Sequence, residues 1–320
     1  MRKFICEIVK FVSIQAVITV TILSVFFGIP EKYHYLASTE DKAFRFYHAE
    51  SPRLILIGDS GVAYGMKSDI LAKQFPQFTV VNMALMAGLG FRNIMAEVEE
   101  DLRPGDVVVM IFAHQVFDRN ILHYQYWNYI AYRPEMLKRM KWRDVPFLMD
   151  NSWFIFNRAL HVYRRIMTWK LHPPRDGPVN RAGFDEYGDL IAHHGGKTVP
   201  GTKFEMVDLK LDDPRFSKEV VKEMNAFADT ARAHGAQVYY MFPAIPDVAW
   251  EANGEKIREA AAYAIDGLNF PVINSVEEMV YPASEFYDTN YHMLGEGATR
   301  RTKLLAERLQ EQFDQEEKSK

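Results

Sequence analysis

Leu54-Ile55-Leu56-Ile57-Gly58-Asp59-Ser60-Gly61-Val62-Ala63-Tyr64-Gly65 carries the strongest strand-and-turn signal in the chain. Four apolar residues between Arg53 and Gly58 read as a short, fully buried strand, and Gly-Asp-Ser-Gly reads as the tight turn that ends it. Ser60 then sits at the carboxyl end of a strand, where open α/β sheets place their ligand crevice. A hydroxyl held on such a turn is positioned to act as a nucleophile. An ordinary strand-to-turn junction with a capping serine has the same local pattern.

A second stretch, Phe286-Tyr287-Asp288-Thr289-Asn290-Tyr291-His292-Met293-Leu294-Gly295-Glu296-Gly297, breaks the tie. A serine hydroxyl attacks poorly until a base takes its proton. Imidazole is a good base near neutrality when a carboxylate fixes its tautomer and steadies its charged form. Asp288 and His292 are four apart, just ahead of the closing helix, and form that pair, with Ser60 as the group they activate.

Between these stretches strands alternate with helices. Phe78 to Met83 is a second strand, Phe91 to Leu102 a helix, and β-branched Val107 to Phe112 a third strand; Ser68 reads as the N-cap of a helix through Phe75. Ser217 to His234 is a helix, Ala236 to Met241 a strand, Glu255 to Leu268 a helix, Pro271 to Ile273 a last short strand, and Gly295 to about Phe313 the final helix. This alternation predicts an α/β fold, a three-layer sandwich around a parallel sheet of about five strands, SGNH-hydrolase or flavodoxin-like in type.

An early Gly58-Asp59-Ser60 with Tyr64-Gly65, paired with Phe286-Tyr287-Asp288, Tyr291-His292 and Arg301-Thr302, resembles the GDSL or SGNH hydrolase superfamily. The likeness is to its membrane-anchored bacterial branch, which includes alginate acetylation proteins and the D-alanyl transfer protein of teichoic acids. It covers roughly residues 50 to 313. The resemblance implies acyl transfer at a surface polysaccharide, no cofactor, and an integral-membrane O-acyltransferase as the partner that donates the acyl group.

Asn82 to Gly90 runs off the second strand with glycines whose N–H groups could approach a ligand. The resemblance assigns this loop an oxyanion-hole donor, which we place at Gly88, with Ala87 or Gly90 as alternatives in register, beside the N–H of Ser60. The third loop departs from the family's Gly-x-Asn-Asp: here Phe112-Ala113-His114-Gln115-Val116-Phe117-Asp118 offers Gln115, or His114, as donor. Asp59, Tyr64, Asn82, His114 and Tyr291 are the candidates for substrate contact.

Composition bounds the alternatives. A net charge of −4 over 320 residues supplies no basic footprint for nucleic acid. The lone Cys6 excludes an intramolecular disulfide and a cysteine-rich metal site, and neither a P-loop nor a dinucleotide fingerprint is present. Adjacent His193 and His194 point apart on any regular element, which makes a poor metal pair, so they read as a surface loop flanking the cleft.

Residues 1–30 read as an uncleaved signal anchor. Arg2, Lys3 and Lys10 precede a charge-free apolar run from Phe11 to Gly28, ended by Pro30-Glu31-Lys32. The N-terminus is then cytoplasmic, at the inner (cytoplasmic) membrane, and everything after Glu31 lies outside; a cleaved signal is the alternative. Residues 31–52 read as a stem, and 53–320 as the domain, with an insertion at 119–210. In that insertion Tyr124, Tyr126, Trp127, Tyr129 and Tyr132 lead into Lys138, Arg139, Lys141, Trp142 and Arg143. These read as a lid helix packed on the core, or as a surface for sugars or anionic headgroups. Trp153 to Leu171 is an amphipathic helix stopped at His172-Pro173-Pro174.

The function expected is an extracytoplasmic serine acyl (acetyl) transferase or esterase. A catalytically inert polysaccharide-binding or assembly factor is the alternative.

Overall fold

The computed structural model describes residues 2–29, 31–168, 177–205 and 207–319. Its centre is β1 (Arg53–Gly58), buried at all six positions, as an apolar strand in the middle of a parallel sheet must be. β2 (Thr79–Asn82) pairs with it on one side and β3 (Val107–Ile111) on the other, and β4 (Gln237–Tyr240) follows β3. All pairings are parallel, in the order β2-β1-β3-β4. A separate two-stranded parallel pair joins β5 (Ile245–Pro246) to β6 (Val280–Tyr281).

The expected fifth strand at Pro271–Ile273 is reduced to one bridge between Tyr240 and Val272. Tyr240 donates to the Pro271 carbonyl, and Ile273 donates back to the Tyr240 carbonyl, both at 2.9 Å. Pro271 has no N–H to extend the ladder, so pairing stops there.

The helices in chain order are α1 (Arg2–Gly28), α2 (Ser38–His48), α3 (Ser60–Gly65), α4 (Ser68–Gln74), α5 (Phe91–Glu99), α6 (Tyr126–Tyr132), α7 (Val145–Asp150), α8 (Trp153–Met167), α9 (Pro214–Ala233), α10 (Asp247–Gly267) and α11 (Gly295–Ser319). α5 packs on β1 and α9, and α9 packs on β4 and α10; α11 packs on α3 and α4. α10 begins eight residues before the expected Glu255. Pro246 precedes it in extended conformation, and Asp247 Oδ1 accepts the N–H of Val248 in its first turn. Lys170 and Leu171, expected in the α8 helix, and the stop at His172-Pro173-Pro174 lie outside the described residues, as does Pro30.

Two readings are corrected. Residues 31–52, expected as a stem, hold α2, which packs on β2 with Phe46 fully buried. Arg53, with no exposed surface, explains why: its guanidinium donates to Asp106, to the Phe46 carbonyl (2.7 Å) and to the Asp101 carbonyl (2.8 Å), tying α2 to the starts of β1 and β3. Ser68 is not an N-cap but the first residue of α4. Its hydroxyl donates to Asp189 at 2.9 Å instead.

α1 is long and apolar enough to cross a membrane, with a mean hydropathy of 2.1 over its 18-residue window.

Candidate active site

The strand order reverses between β1 and β3, because β1 connects outward to β2 on one side while β3 lies on the other. Ligand sites of open α/β sheets form at the carboxyl ends beside such a switch. Here those ends carry Asp59-Ser60 and Ala113-His114. Asp59 ties them together: its carboxylate accepts the N–H of Gly61 (2.8 Å) and, through the other oxygen, the N–H of Ala113 (2.6 Å). Burial raises its pKa, and those two backbone donors oppose the rise. Gly58 precedes it because a Cβ there would stand 2.0 Å from the Ile111 carbonyl oxygen.

Ser60 opens α3 and is half-buried, while the following five residues are buried. Residues 60 and 64 are four apart on one helix, so they share a face. On the Tyr64 ring lies the His292 imidazole, with centroids 3.7 Å apart and planes within 11°. The loop that carries His292 docks on the same turn: a Cβ on Gly61 would meet Tyr291 Cβ at 3.1 Å. α3 therefore presents the serine and seats the imidazole.

His292 Nδ1 donates to Asp288 Oδ1 at 2.6 Å. That bond leaves Nε2 with its lone pair, the tautomer a general base requires. Thr289 Oγ1 accepts the N–H groups of Tyr291 and His292 at 3.3 and 3.2 Å, which shapes the turn between the pair. The imidazole is 12 % exposed and the Asp288 carboxylate 33 %, so the dyad is shielded but reachable. Among the described residues no hydrogen bond joins Ser60 Oγ to His292. Catalytic hydrogen bonds are commonly long without substrate.

The second loop forms a tight 3-10 turn, Ala87–Leu89. Gly88 is buried, and its carbonyl accepts the N–H of His123 at 2.8 Å, which turns that carbonyl toward the insertion. Ala87 shares with Asp59, Phe112 and Ala113 the wall of a narrow crevice with little free space. In the third loop Tyr291 donates to Gln115 Oε1 at 2.8 Å, so the Gln115 amide NH2 is its remaining donor. His114 is buried, and burial alone pulls its pKa down to about 3. It is a neutral ring facing the Tyr291 hydroxyl at 3.5 Å and stacked on Phe242.

Several expected contact residues brace the site instead. Asn82 has no exposed surface. Its amide donates to Asp189 at 2.7 Å and its oxygen accepts the N–H of Ala84 at 3.0 Å, which leaves nothing for a substrate. Asp59 is likewise spent on backbone donors.

Three further residues brace the site. Asp189, fully buried, accepts from Ser68 and Asn82; Lys42 lies beside it, donating to the carbonyls of Asn82 (2.9 Å) and Gly188 (2.5 Å). Burial lowers Lys42 to about 8, opposed by the charges of Asp189, Glu97 and Asp185. Arg301 is buried in α11 and donates to the Gly61 carbonyl at 2.6 Å, gripping the Ser60 turn. Its pKa falls to about 10 through burial. The sequence signal for it was only its place in the late motif.

The reading of His193 and His194 as a surface loop is corrected. His193 is buried against Tyr64 and donates through Nε2 to the Met293 carbonyl at 2.8 Å. His194 donates through Nε2 to the Tyr64 carbonyl at 2.9 Å. The rings do point to different partners, yet both partners belong to the site. Among the described residues no group of three His, Cys, Asp or Glu could hold a metal ion. Tyr126, Tyr129 and Tyr132 of the insertion are buried in the core, while Trp142 is exposed.

The chain matches no family model and none of the curated proteins.

Proposed function

We propose that the protein is an extracytoplasmic serine-dependent acyl transferase or esterase, acting on a cell-surface polysaccharide through an acyl-Ser60 intermediate, with acetyl as the acyl group. The observation that carries this reading is the Asp288–His292 pair, its free Nε2 seated on Tyr64, one helical turn along the same face from Ser60.

Ser60 Oγ attacks the ester carbonyl as His292 Nε2 takes its proton. The N–H groups of Ser60 and Gly88, with the Gln115 amide, stabilise the oxyanion. The leaving alcohol departs with the proton held by His292. Water or a sugar hydroxyl then gives its proton to His292 and attacks the acyl carbon, freeing Ser60. No cofactor enters.

Two separate helix groups, α5–α9–α10 and α3–α4–α11, together with the Val272 bridge beside β4, support a three-layer SGNH-type architecture around the four-stranded sheet. In this proposal α1 anchors the chain in the cytoplasmic membrane with its basic end inside, and a membrane-bound O-acyltransferase supplies the acyl group. Ser60→Ala should abolish polymer acylation while leaving the anchor intact; unchanged acylation would refute the enzymatic reading. The alternative, an inert polysaccharide-binding or assembly factor, is favoured by the absence, among the described residues, of a Ser60–His292 hydrogen bond.

A further inference from the structure

α1 is not a free tether. Residues 2–21 are exposed at every position, and burial begins at Ile22: Ile22, Val25 and Phe27 are half-buried and Phe26 fully buried. The neighbour is α8. The Arg158 guanidinium stands 5.3 Å from the centre of the Phe26 ring, and Arg165 pairs with Glu31 at 2.9 Å. Tyr132 donates to the Glu31 carbonyl at 2.9 Å, fixing the exit of α1 on the domain.

Phe26 precedes Glu31 as Arg158 precedes Arg165, so the two segments run in the same sense. At 1.5 Å per residue, Trp153 lies about 7.5 Å before Arg158, level with the turn around Ile22. That is where the burial of α1 starts. The charge-free run from Phe11 to Gly28 is about 27 Å long as a helix, close to the hydrocarbon thickness of a bilayer. The first turns of α8 thus stand beside the outer end of that run.

On α8, Trp153, Phe156, Leu160, Tyr163 and Met167 recur at spacings of three, four, three and four, which makes one stripe. All five are exposed, Trp153 at 66 % and Met167 at 64 %. Buried Arg158, Ala159 and Val162 lie on a different face, and exposed Arg164 flanks the stripe.

We propose that this stripe is a second membrane-embedded surface, covered by the outer leaflet of the bilayer that α1 crosses. The proposal rests on the reading of α1 as a membrane span. Three observations choose lipid as the occupant: the stripe continues the exposed apolar surface of α1, its tryptophan end reaches the depth of Ile22, and Arg164 and the Arg165–Glu31 pair stand at headgroup level. Two elements held in the membrane fix the tilt of the domain, and with it the distance of Ser60 from the bilayer.

The test uses the full chain in vesicles of phosphatidylcholine and phosphatidylglycerol, with a nitroxide at single cysteines in a Cys6→Ser background. The positions are Ile18→Cys on α1, Trp153→Cys and Tyr163→Cys on the stripe, and Ile265→Cys on α10. All four side chains are exposed, so labelling leaves packing intact. The expected result is that 153 and 18 collide readily with oxygen and several-fold less with a water-soluble nickel chelate than 265 does, with 163 between. Protection at 18 with free nickel access at 153 and 163 would overturn the proposal while leaving the span. Free nickel access at 18 as well would overturn both. Dipolar broadening at 153 that persists on lipid dilution would show a second copy covering the stripe, and would also overturn it.

Discussion

The His292 imidazole lies flat on the Tyr64 phenol ring, 3.7 Å between centroids, and this contact couples His292 to the helix that Ser60 opens, across more than two hundred residues. A ring held from below by another ring and at Nδ1 by Asp288 has little freedom except to present Nε2. Tyr64→Phe keeps the platform and should retain esterase activity close to wild type. Tyr64→Ala should cost about 3 kcal/mol of stability through the cavity left behind, and most of the activity. Activity assays paired with thermal melts check both; full activity in Tyr64→Ala would show that the stack is incidental.

Asp288→Asn retains the shape of the dyad but can hydrogen-bond His292 in the wrong tautomer. Turnover of an activated ester should fall by about two to four orders of magnitude with the melting temperature nearly unchanged. A loss under threefold would remove Asp288 from the mechanism.

Much of the site was legible because its chemistry is local. The apolar run ending at Gly58-Asp59-Ser60 marks a buried strand and turn. Asp288 and His292 are four apart, so one short loop is enough to join them. The braces are not local. Lys42, Asn82 and Asp189 meet from three separate segments, and nothing periodic in any of them announces a buried charge. Asp59 and Asn82, expected at the substrate, are buried and hydrogen-bonded to backbone donors of the site's own turns. The fifth strand is cut short from both sides: Pro271 lacks the N–H that would extend the ladder backward, and the Phe242 N–H that would extend it forward goes to Asn274 Oδ1.

Lys42 and Asp189 are buried opposite charges under the site, each hydrogen-bonded elsewhere: Lys42 to the carbonyls of Asn82 and Gly188, Asp189 to Ser68 and Asn82. Lys42→Met strands those two carbonyls and removes a favourable charge from Asp189, and should cost about 1–3 kcal/mol, with Lys42→Met and Asp189→Asn together recovering part of that loss. Chemical denaturation of the four members of the cycle measures it. Additive losses would show that the two charges do not depend on each other.

Acid should destabilise the fold through His193. Burial pulls it down to about 4, so between about 4 and its unfolded value near 6.5 the unfolded chain holds a proton that the folded chain lacks. Stability then rises with pH across that window and is lost as pH falls through it, at up to about 1.4 kcal/mol per pH unit. His114, down at about 3, acts in the same sense. Asp185, pushed up to about 6 by burial and the Asp189 charge, acts in the opposite sense below that value. His193→Gln isolates the histidine: from pH 7 to pH 5 the wild type should lose more melting temperature than the variant. An equal loss in both would contradict the assignment.

Acyl transfer through Ser60 is read by intact-mass analysis of the full chain in detergent after incubation with p-nitrophenyl acetate. The expected result is an adduct of about 42 Da, the mass an acetyl group adds in replacing the hydroxyl proton, mapped to Ser60 and absent from His292→Ala. An adduct elsewhere, or one on Ser60 that forms equally fast in His292→Ala, would contradict it.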